Sequence, residues 1–166
     1  MNRQTKHESW IILTPGQERA LQGLREGVAT GDVVTLQGRA GSGKSTVLKH
    51  LHASTGGLLV RVREIPGRRG ERLPEAIEEA FLQTLEQAMA QHDIVIVDDL
   101  HVVMEYVNTC EFPRALLLDA ALTAILGEAS AMRKKLVFSF DGEAPWPIRR
   151  RAHASTIEEF VAAEAN

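Results

Sequence analysis

A glycine-rich octapeptide constrains this chain more than any other feature of its sequence. Residues 38–45 read Gly-Arg-Ala-Gly-Ser-Gly-Lys-Ser and match the pattern G-x-x-x-x-G-K-[ST] at every fixed position. The apolar run 33–36 precedes the octapeptide, and the helix-like segment 45–53 follows it. Glycines allow positive φ angles, so the backbone N–H groups can turn inward around a phosphate, while the following helix points its positive end at the same anion. The pattern therefore predicts a strand, a phosphate-binding loop and a helix, in that order.

The residues of this phosphate loop (residues 38–45) have separate expected roles. Lys44 is expected to reach the β and γ phosphates of a nucleotide, and the Ser45 hydroxyl to bind Mg²⁺. The alternative is an ordinary glycine-rich turn, but such a turn does not require a buried strand before it and an apolar helix after it. The predicted nucleotide-binding residues are Gly38, Arg39, Ala40, Gly41, Ser42, Gly43, Lys44, Ser45 and Thr46.

The remaining sequence alternates strand-like runs with longer helical patterns. Thr14, Pro15 and Gln17 form an N-terminal helix signal, with Thr14 as the N-cap and Gln17 completing a capping box. Further helices are predicted over 45–53, 73–91 and 114–132, and strands over 33–36, 58–65, 94–97, 136–140 and 154–157. Strands alternating with helices imply βαβ crossovers. The predicted fold class is α/β, a three-layer αβα sandwich around a mostly parallel five-stranded sheet.

Composition and charge exclude several classes of protein. The 166 residues carry a formal net charge of −3, which gives no global basic field for nucleic acid or an anionic membrane. Cys110 is the single cysteine, so no intramolecular disulfide can form. No stretch approaches the roughly 20 apolar residues that cross a bilayer. We expect a cytoplasmic soluble protein with no membrane partner, and we regard nucleic acid as a less favoured partner.

Two carboxylates follow the apolar run 94–97. Asp98 stands where an acid would hold the Mg²⁺ shell, as in a Walker B strand, and Asp99 where a general base would orient and activate water. The alternative is that an acid at a strand end caps the following helix. The upstream phosphate loop favours the metal and catalytic roles. His101, two residues further on, could also reach this site.

The order of these elements resembles the core domain of the AAA+ ATPases. The resemblance covers about residues 9–162 and includes the helix before the first strand, the phosphate loop, the segment 70–81 and the Asp98-Asp99-Leu100 strand end. It implies ATP as the nucleotide, with Mg²⁺, and ATP hydrolysis that drives a mechanochemical or remodelling module. No base-reading motif in the chain distinguishes ATP from GTP, so the choice of ATP follows from the resemblance.

The same resemblance implies further catalytic residues. The family places a polar sensor at the end of its fourth strand, where Asp141 or Ser139 stands here. It also places arginine fingers shortly afterwards, which reach into a neighbouring subunit, and the run 149–151 lies in that region. Such fingers imply self-association or a larger assembly, whereas the alternative is a solvated basic patch. The predicted catalytic residues are Asp99, Lys44, Asp141, Arg150 and Arg151.

Several features depart from the family pattern. Asp99 stands where most active members carry Glu, so hydrolysis could be slow or absent. The stretch 65–70 lacks the aromatic residue of substrate-threading members, and too little chain follows the last strand for the helical lid. We therefore predict a lidless core over residues 13–160, with an N-terminal extension or linker at 1–12 and a tail at 161–166, and we favour a piece of a longer protein.

Three functional hypotheses follow. The leading one is an ATPase core whose protein substrate is unknown. The second is a nucleotide-binding switch or scaffold with little hydrolysis, suggested by Asp99 and the absent lid. The third is a fragment of a nucleic-acid motor, because residues 13–17 before the phosphate loop resemble the opening of some helicases. The net negative charge and the Asp-Asp-Leu-His strand end argue against the third.

Overall fold

The computed structural model describes residues 11–65, 77–108 and 114–157. The helices in these ranges are α1 (Pro15–Thr30), α2 (Lys44–Thr55), α3 (Ile77–Gln91), α4 (Leu100–Asn108), α5 (Arg114–Ala131) and α6 (Trp146–Arg149), with a 3₁₀ turn at Val62–Glu64. The strands are β1 (Val33–Gln37), β2 (Leu58–Arg61), β3 (Ile94–Asp98), β4 (Lys135–Phe140) and β5 (His153–Thr156).

The five strands form one sheet in the order β2-β3-β4-β1-β5, and every neighbouring pair is parallel. The α/β fold and the five-stranded sheet are confirmed, and the sheet is wholly parallel where we predicted a mostly parallel one. Because β1 inserts next to β4, the carboxyl ends of β1, β3 and β4 lie side by side. Open α/β sheets bind ligands in the crevice outside the carboxyl ends of their strands, at such a change in strand order.

Helices cover both faces of the sheet and create two separate cores. Helices α1 and α2 pack on the face that carries Val34 and Val137, and α3, α4 and α5 pack on the face that carries Val33 and Leu136. Adjacent residues of a strand point to opposite faces, so the neighbours Val33 and Val34 belong to different cores. This is the predicted three-layer αβα arrangement.

The start of α1 follows its sequence signal. The Thr14 hydroxyl accepts a hydrogen bond from the Gln17 backbone N–H at 3.3 Å, and the Gln17 side-chain oxygen accepts one from the Thr14 N–H at 3.0 Å. Pro15 occupies the first helical turn. The predicted capping box is confirmed.

Strand β2 is shorter than predicted, ending at Arg61 rather than at residue 65. The last pair between β2 and β3 joins Arg61 to Asp98, the final residue of β3. Among the described residues β2 is an edge strand that pairs with β3, and no ladder there holds the chain extended beyond that pair. The backbone turns instead into the 3₁₀ segment Val62–Glu64.

Some predicted boundaries lie outside the described residues. These are the predicted start of the third helix at residue 73, most of the N-terminal extension 1–12, and the tail 161–166. Within the described ranges, no helix is both long enough and apolar enough to cross a membrane.

Candidate functional site

The phosphate loop joins the carboxyl end of β1 to the first residue of α2. Gly41 and Gly43 have φ angles of 79° and 88°, in the left-handed region that glycine adopts without steric cost. Gly43 is also the N-cap of α2, and its carbonyl accepts hydrogen bonds from the N–H groups of Thr46 and Val47. The loop therefore curls directly over the positive end of a helix, an arrangement that suits an anion.

Lys44 is held inside the phosphate loop. Its side chain is 6% exposed, and its ammonium donates hydrogen bonds to the carbonyls of Gly38 at 2.8 Å and Arg39 at 2.9 Å. The ammonium also forms an ion pair with the Asp141 carboxylate, which lies just beyond the carboxyl end of β4. Two predicted site residues that are far apart in sequence are thus in direct contact.

Gln17 braces the loop from α1. Its side-chain amide donates a hydrogen bond to the Ser42 carbonyl at 2.9 Å, while its oxygen holds the N-cap of α1. A Cβ placed on Gly43 would lie 2.3 Å from the same amide nitrogen, so a side chain at this position would displace the Gln17 amide from the loop. The sequence marked Gln17 as a capping residue, but no local signal connects it to a loop 25 residues away.

Ser139 hydrogen-bonds to both Asp98 and Asp99, at the end of β3. Its hydroxyl donates to the Asp98 carboxylate at 2.6 Å and accepts from the Asp99 backbone N–H at 3.1 Å. Asp98 is 2% exposed, so this bond orients a buried carboxylate. Asp99 has a φ angle of 65°, a region that Asp tolerates better than most residues. The sharp turn there sends the chain from β3 into α4.

The side chains at the carboxyl ends of the strands enclose a cleft of about 390 Å³. We call this the strand-end cleft, and its lining residues are Ala40, Gly41, Gly43, Lys44, Ser45, Arg63, Asp99, His101 and Asp141. Four of the predicted catalytic and metal-binding residues, Lys44, Ser45, Asp99 and Asp141, therefore share one surface. His101 lies on it as well, as its position after the strand end suggested.

Arg63 is a member of the strand-end cleft that the sequence did not reveal. Its guanidinium lies 2.7 Å from the Asp99 carboxylate, although the arginine itself is two-thirds exposed. The sequence placed Arg63 inside a strand predicted to run on to residue 65. The 3₁₀ turn after Arg61 changes that direction, because β2 ends beside the end of β3, where Asp99 follows.

The oxygen donors at the start of α2 and at the end of β3 fit a magnesium ion that is held mainly by its nucleotide. Ser45 offers a hydroxyl on the exposed first turn of α2, and Asp98, which is buried and is not among the residues that line the cleft, offers a carboxylate at the end of β3. Among the described residues, no group of three or more His, Cys, Asp and Glu side chains could hold a metal ion. Mg²⁺ commonly keeps several waters and takes one or two protein ligands plus substrate phosphates, so the donor set fits it.

The two predicted arginine fingers lie away from the strand-end cleft of their own molecule. Arg150 follows α6 and stacks over the Trp146 ring, with its guanidinium 5.4 Å from the ring centroid. Arg151 lines a separate cleft of about 580 Å³ beside Asp32 and Val33, at the amino end of β1. The structure therefore does not bring these arginines to the phosphate loop of the same chain.

Known proteins resemble this chain in part of its sequence and in its fold. No protein-family model matches the chain. A curated protein, the energy-coupling factor transporter ATP-binding protein EcfA2 of Acetivibrio thermocellus, is 31% identical over 72 residues. That alignment covers 41% of this chain and 26% of the relative, so the chain spans about a quarter of the relative's length.

Two solved structures resemble the whole described core. A crystal structure of the DnaC helicase loader has a TM-score of 0.51 and 15% identity, covering 91% of this chain and 95% of its own. The Pif1 helicase from Candida albicans has a TM-score of 0.50 and 16% identity, covering 90% of this chain and 40% of its own. The chain therefore shares the α/β fold of these two structures, a parallel sheet with helices on both faces.

Proposed function

We propose that this chain binds Mg-ATP in the strand-end cleft and hydrolyses it to ADP and phosphate. The observation that carries the proposal is the position of Lys44. Its ammonium lies inside a loop with two left-handed glycines, at the start of α2, and it shares one cleft with Asp99 and Asp141. A backbone cradle, a lysine and strand-end carboxylates are the parts that phosphoryl transfer in P-loop proteins requires.

Each residue has a chemical task in this proposal. The backbone N–H groups of the loop and Lys44 hold the β and γ phosphates. Ser45 and Asp98 would be the protein ligands of Mg²⁺, and Ser139 keeps the Asp98 carboxylate in place through its 2.6 Å bond. The bound Mg²⁺ would offset the charge that develops on the phosphate oxygens. Asp99 orients the attacking water and accepts its proton.

ATP is the nucleotide that we propose, for two reasons. The element order resembles the AAA+ ATPases, and the curated relative is named as an ATP-binding protein.

Asp141 would act as the polar group beside the γ-phosphate. Arg150 and Arg151 would act on the site of a neighbouring copy, since they lie away from their own cleft. Turnover per chain is then expected to rise with protein concentration, and a strictly constant turnover would argue against assembly.

Calorimetric titration of Mg-ATP into the wild-type chain and Lys44→Ala tests the binding proposal. Loss of a buried, hydrogen-bonded cation is expected to weaken binding at least about thirtyfold. The matched control is Lys49→Ala, an exposed lysine on the same helix, which should bind as the wild type does. Equal affinity of Lys44→Ala and the wild type would contradict the proposed site.

A nucleotide-binding switch with little hydrolysis is the second candidate, and one contact favours it. The Asp99 carboxylate is engaged by Arg63 at 2.7 Å, and its side chain is one methylene shorter than Glu. Phosphate release should separate the two candidates. An active ATPase loses turnover in Asp99→Asn while keeping ATP binding. A switch binds ATP without measurable turnover, and Asp99→Asn leaves that behaviour unchanged.

The solved structures that resemble this chain are named as a helicase loader and a helicase. The phosphate-release assay therefore includes one further condition, in which single-stranded DNA is added at low salt. Stimulation of turnover would support a role in a nucleic-acid motor. The formal net charge of −3 leads us to expect no stimulation.

A further inference from the structure

The protein itself engages the Lys44 ammonium on three sides, through two hydrogen bonds and one ion pair. A lysine ammonium has three N–H donors. Two of them serve the carbonyls of Gly38 and Arg39, and the third side of the ammonium faces the Asp141 carboxylate. Lys44 must therefore give up at least one of these contacts in order to donate to a phosphate. Asp141 is the contact that neutralises its charge.

Release of Lys44 leaves the Asp141 carboxylate beside an approaching polyanion. This carboxylate is 28% exposed, so water screens it only in part. Two like charges in one cleft repel each other, and a second cation near Asp141 would relieve the repulsion.

His101 is placed to become that cation. Its Nε2 lies 3.7 Å from the second oxygen of Asp141, and the residue is only 9% exposed. Its Nδ1 is buried and has no hydrogen-bond partner among the described residues. Imidazole is the side chain that ordinarily exchanges a proton near neutral pH.

The other charged groups around His101 are also defined. Lys44, Arg63, Asp99 and Asp141 share the strand-end cleft with it. Asp98 ends the strand that leads into α4, and Glu105 lies one turn further along α4. The other elements packed against α4 carry Arg63 and Glu64 in the 3₁₀ turn, Glu78, Glu79 and Glu86 in α3, and Asp119 and Glu128 in α5. Of the residues that line the cleft, His101 is the one imidazole.

We propose that Asp141 competes with the triphosphate for Lys44, and that His101 takes up a proton as ATP binds and becomes the new partner of Asp141. This inference rests on the proposed ATP binding. His101 is here a positioning residue, acting through Asp141. Because binding and proton uptake are linked, affinity for ATP falls as pH rises.

Calorimetry in two buffers tests this inference. Mg-ATP is titrated into the chain at about pH 7 in a buffer with a small enthalpy of ionisation and in one with a large enthalpy, because histidine exchanges its proton in this range. The difference in observed heat gives the number of protons taken up. We expect uptake of up to about one proton in the wild type, the maximum for a single imidazole.

Two variants identify the group that takes up the proton. His101→Gln keeps a hydrogen-bonding side chain that cannot titrate, so it should bind ATP without proton uptake. His153→Gln is the matched control, because His153 is an exposed residue on β5, outside the cleft, and uptake should persist there. Uptake that persists in His101→Gln would overturn the inference.

Asp141→Asn tests the competition directly. Removal of the competing carboxylate should tighten ATP binding about threefold to tenfold, the range expected for a partly exposed ion pair, and should also remove proton uptake. Weaker binding by this variant would show that Asp141 assists the phosphate instead of competing with it. Wild-type binding without proton uptake overturns the inference and leaves the proposed function intact. Absence of wild-type ATP binding overturns the proposed function, and the inference with it.

Discussion

Gln17 makes one hydrogen bond that caps α1 and another that holds the phosphate loop, so its variants should rank differently in stability and in ATP binding. One end of its amide completes the capping box of α1 by accepting from the Thr14 N–H at 3.0 Å. The other end donates to the Ser42 carbonyl of the phosphate loop at 2.9 Å. Gln17→Ala removes both bonds. Gln17→Glu keeps the acceptor for the cap and removes only the donor to the loop.

The magnitudes follow from these two bonds. Each is worth about 1 kcal/mol, so Gln17→Ala is expected to lose about 2 kcal/mol of unfolding free energy. For a chain of 166 residues this corresponds to a fall in Tm of about 4 to 8 °C. Gln17→Glu loses about 1 kcal/mol, and the new charge in the first turn of α1 restores about 0.5 kcal/mol of it.

The two Gln17 variants should exchange rank in ATP affinity, because Glu places a negative charge against the loop that holds the phosphates. We therefore expect stability to fall in the order wild type, Gln17→Glu, Gln17→Ala, and ATP affinity in the order wild type, Gln17→Ala, Gln17→Glu. Thermal unfolding and calorimetric titration measure the two orders. Gln22→Ala, an exposed glutamine on the same helix, is the control for both. Equal losses of stability in both Gln17 variants, with unchanged ATP binding, would refute the reasoning.

Two further predictions concern the loop glycines and one surface ion pair. Gly41→Ala and Gly43→Ala both place a side chain at a positive φ, which costs about 1 to 2 kcal/mol, but only the Gly43 variant also displaces Gln17, since nothing lies within 4 Å of a Cβ at Gly41. Thermal unfolding should show the larger loss for Gly43→Ala, and equal losses would argue against the Gln17 brace. A hydrogen bond from Lys134, together with its positive charge, lowers the pKa of Asp93 from its ordinary 3.8. The small stabilisation from this pair is present above pH 3.8 and is lost as pH falls through the lowered pKa. The difference in unfolding free energy between the wild type and Lys134→Met should therefore shrink to zero as the pH falls through that pKa.

The sequence determined those parts of the molecule that depend on neighbouring residues. The capping box of α1, the glycine pattern of the phosphate loop and the alternation of strands with helices are local. Each is set by which backbone angles and hydrogen bonds a few adjacent residues allow. The α/β fold class followed from these elements. The length of β2 did not, because an edge strand continues only as far as its partner, and β3 ends at Asp98.

The tertiary structure decided which residues meet. Asp141 and Lys44 are in contact because β4 lies beside β1, although nearly a hundred residues separate them in sequence. The same strand order brings Ser139 to the Asp98 carboxylate, and the end of β2 brings Arg63 to Asp99. Sequence motifs gave the chemical groups that a phosphate site requires. Only the parallel sheet, whose strand ends converge at one edge, determined that Lys44 is shared between its own loop and a carboxylate from a distant strand.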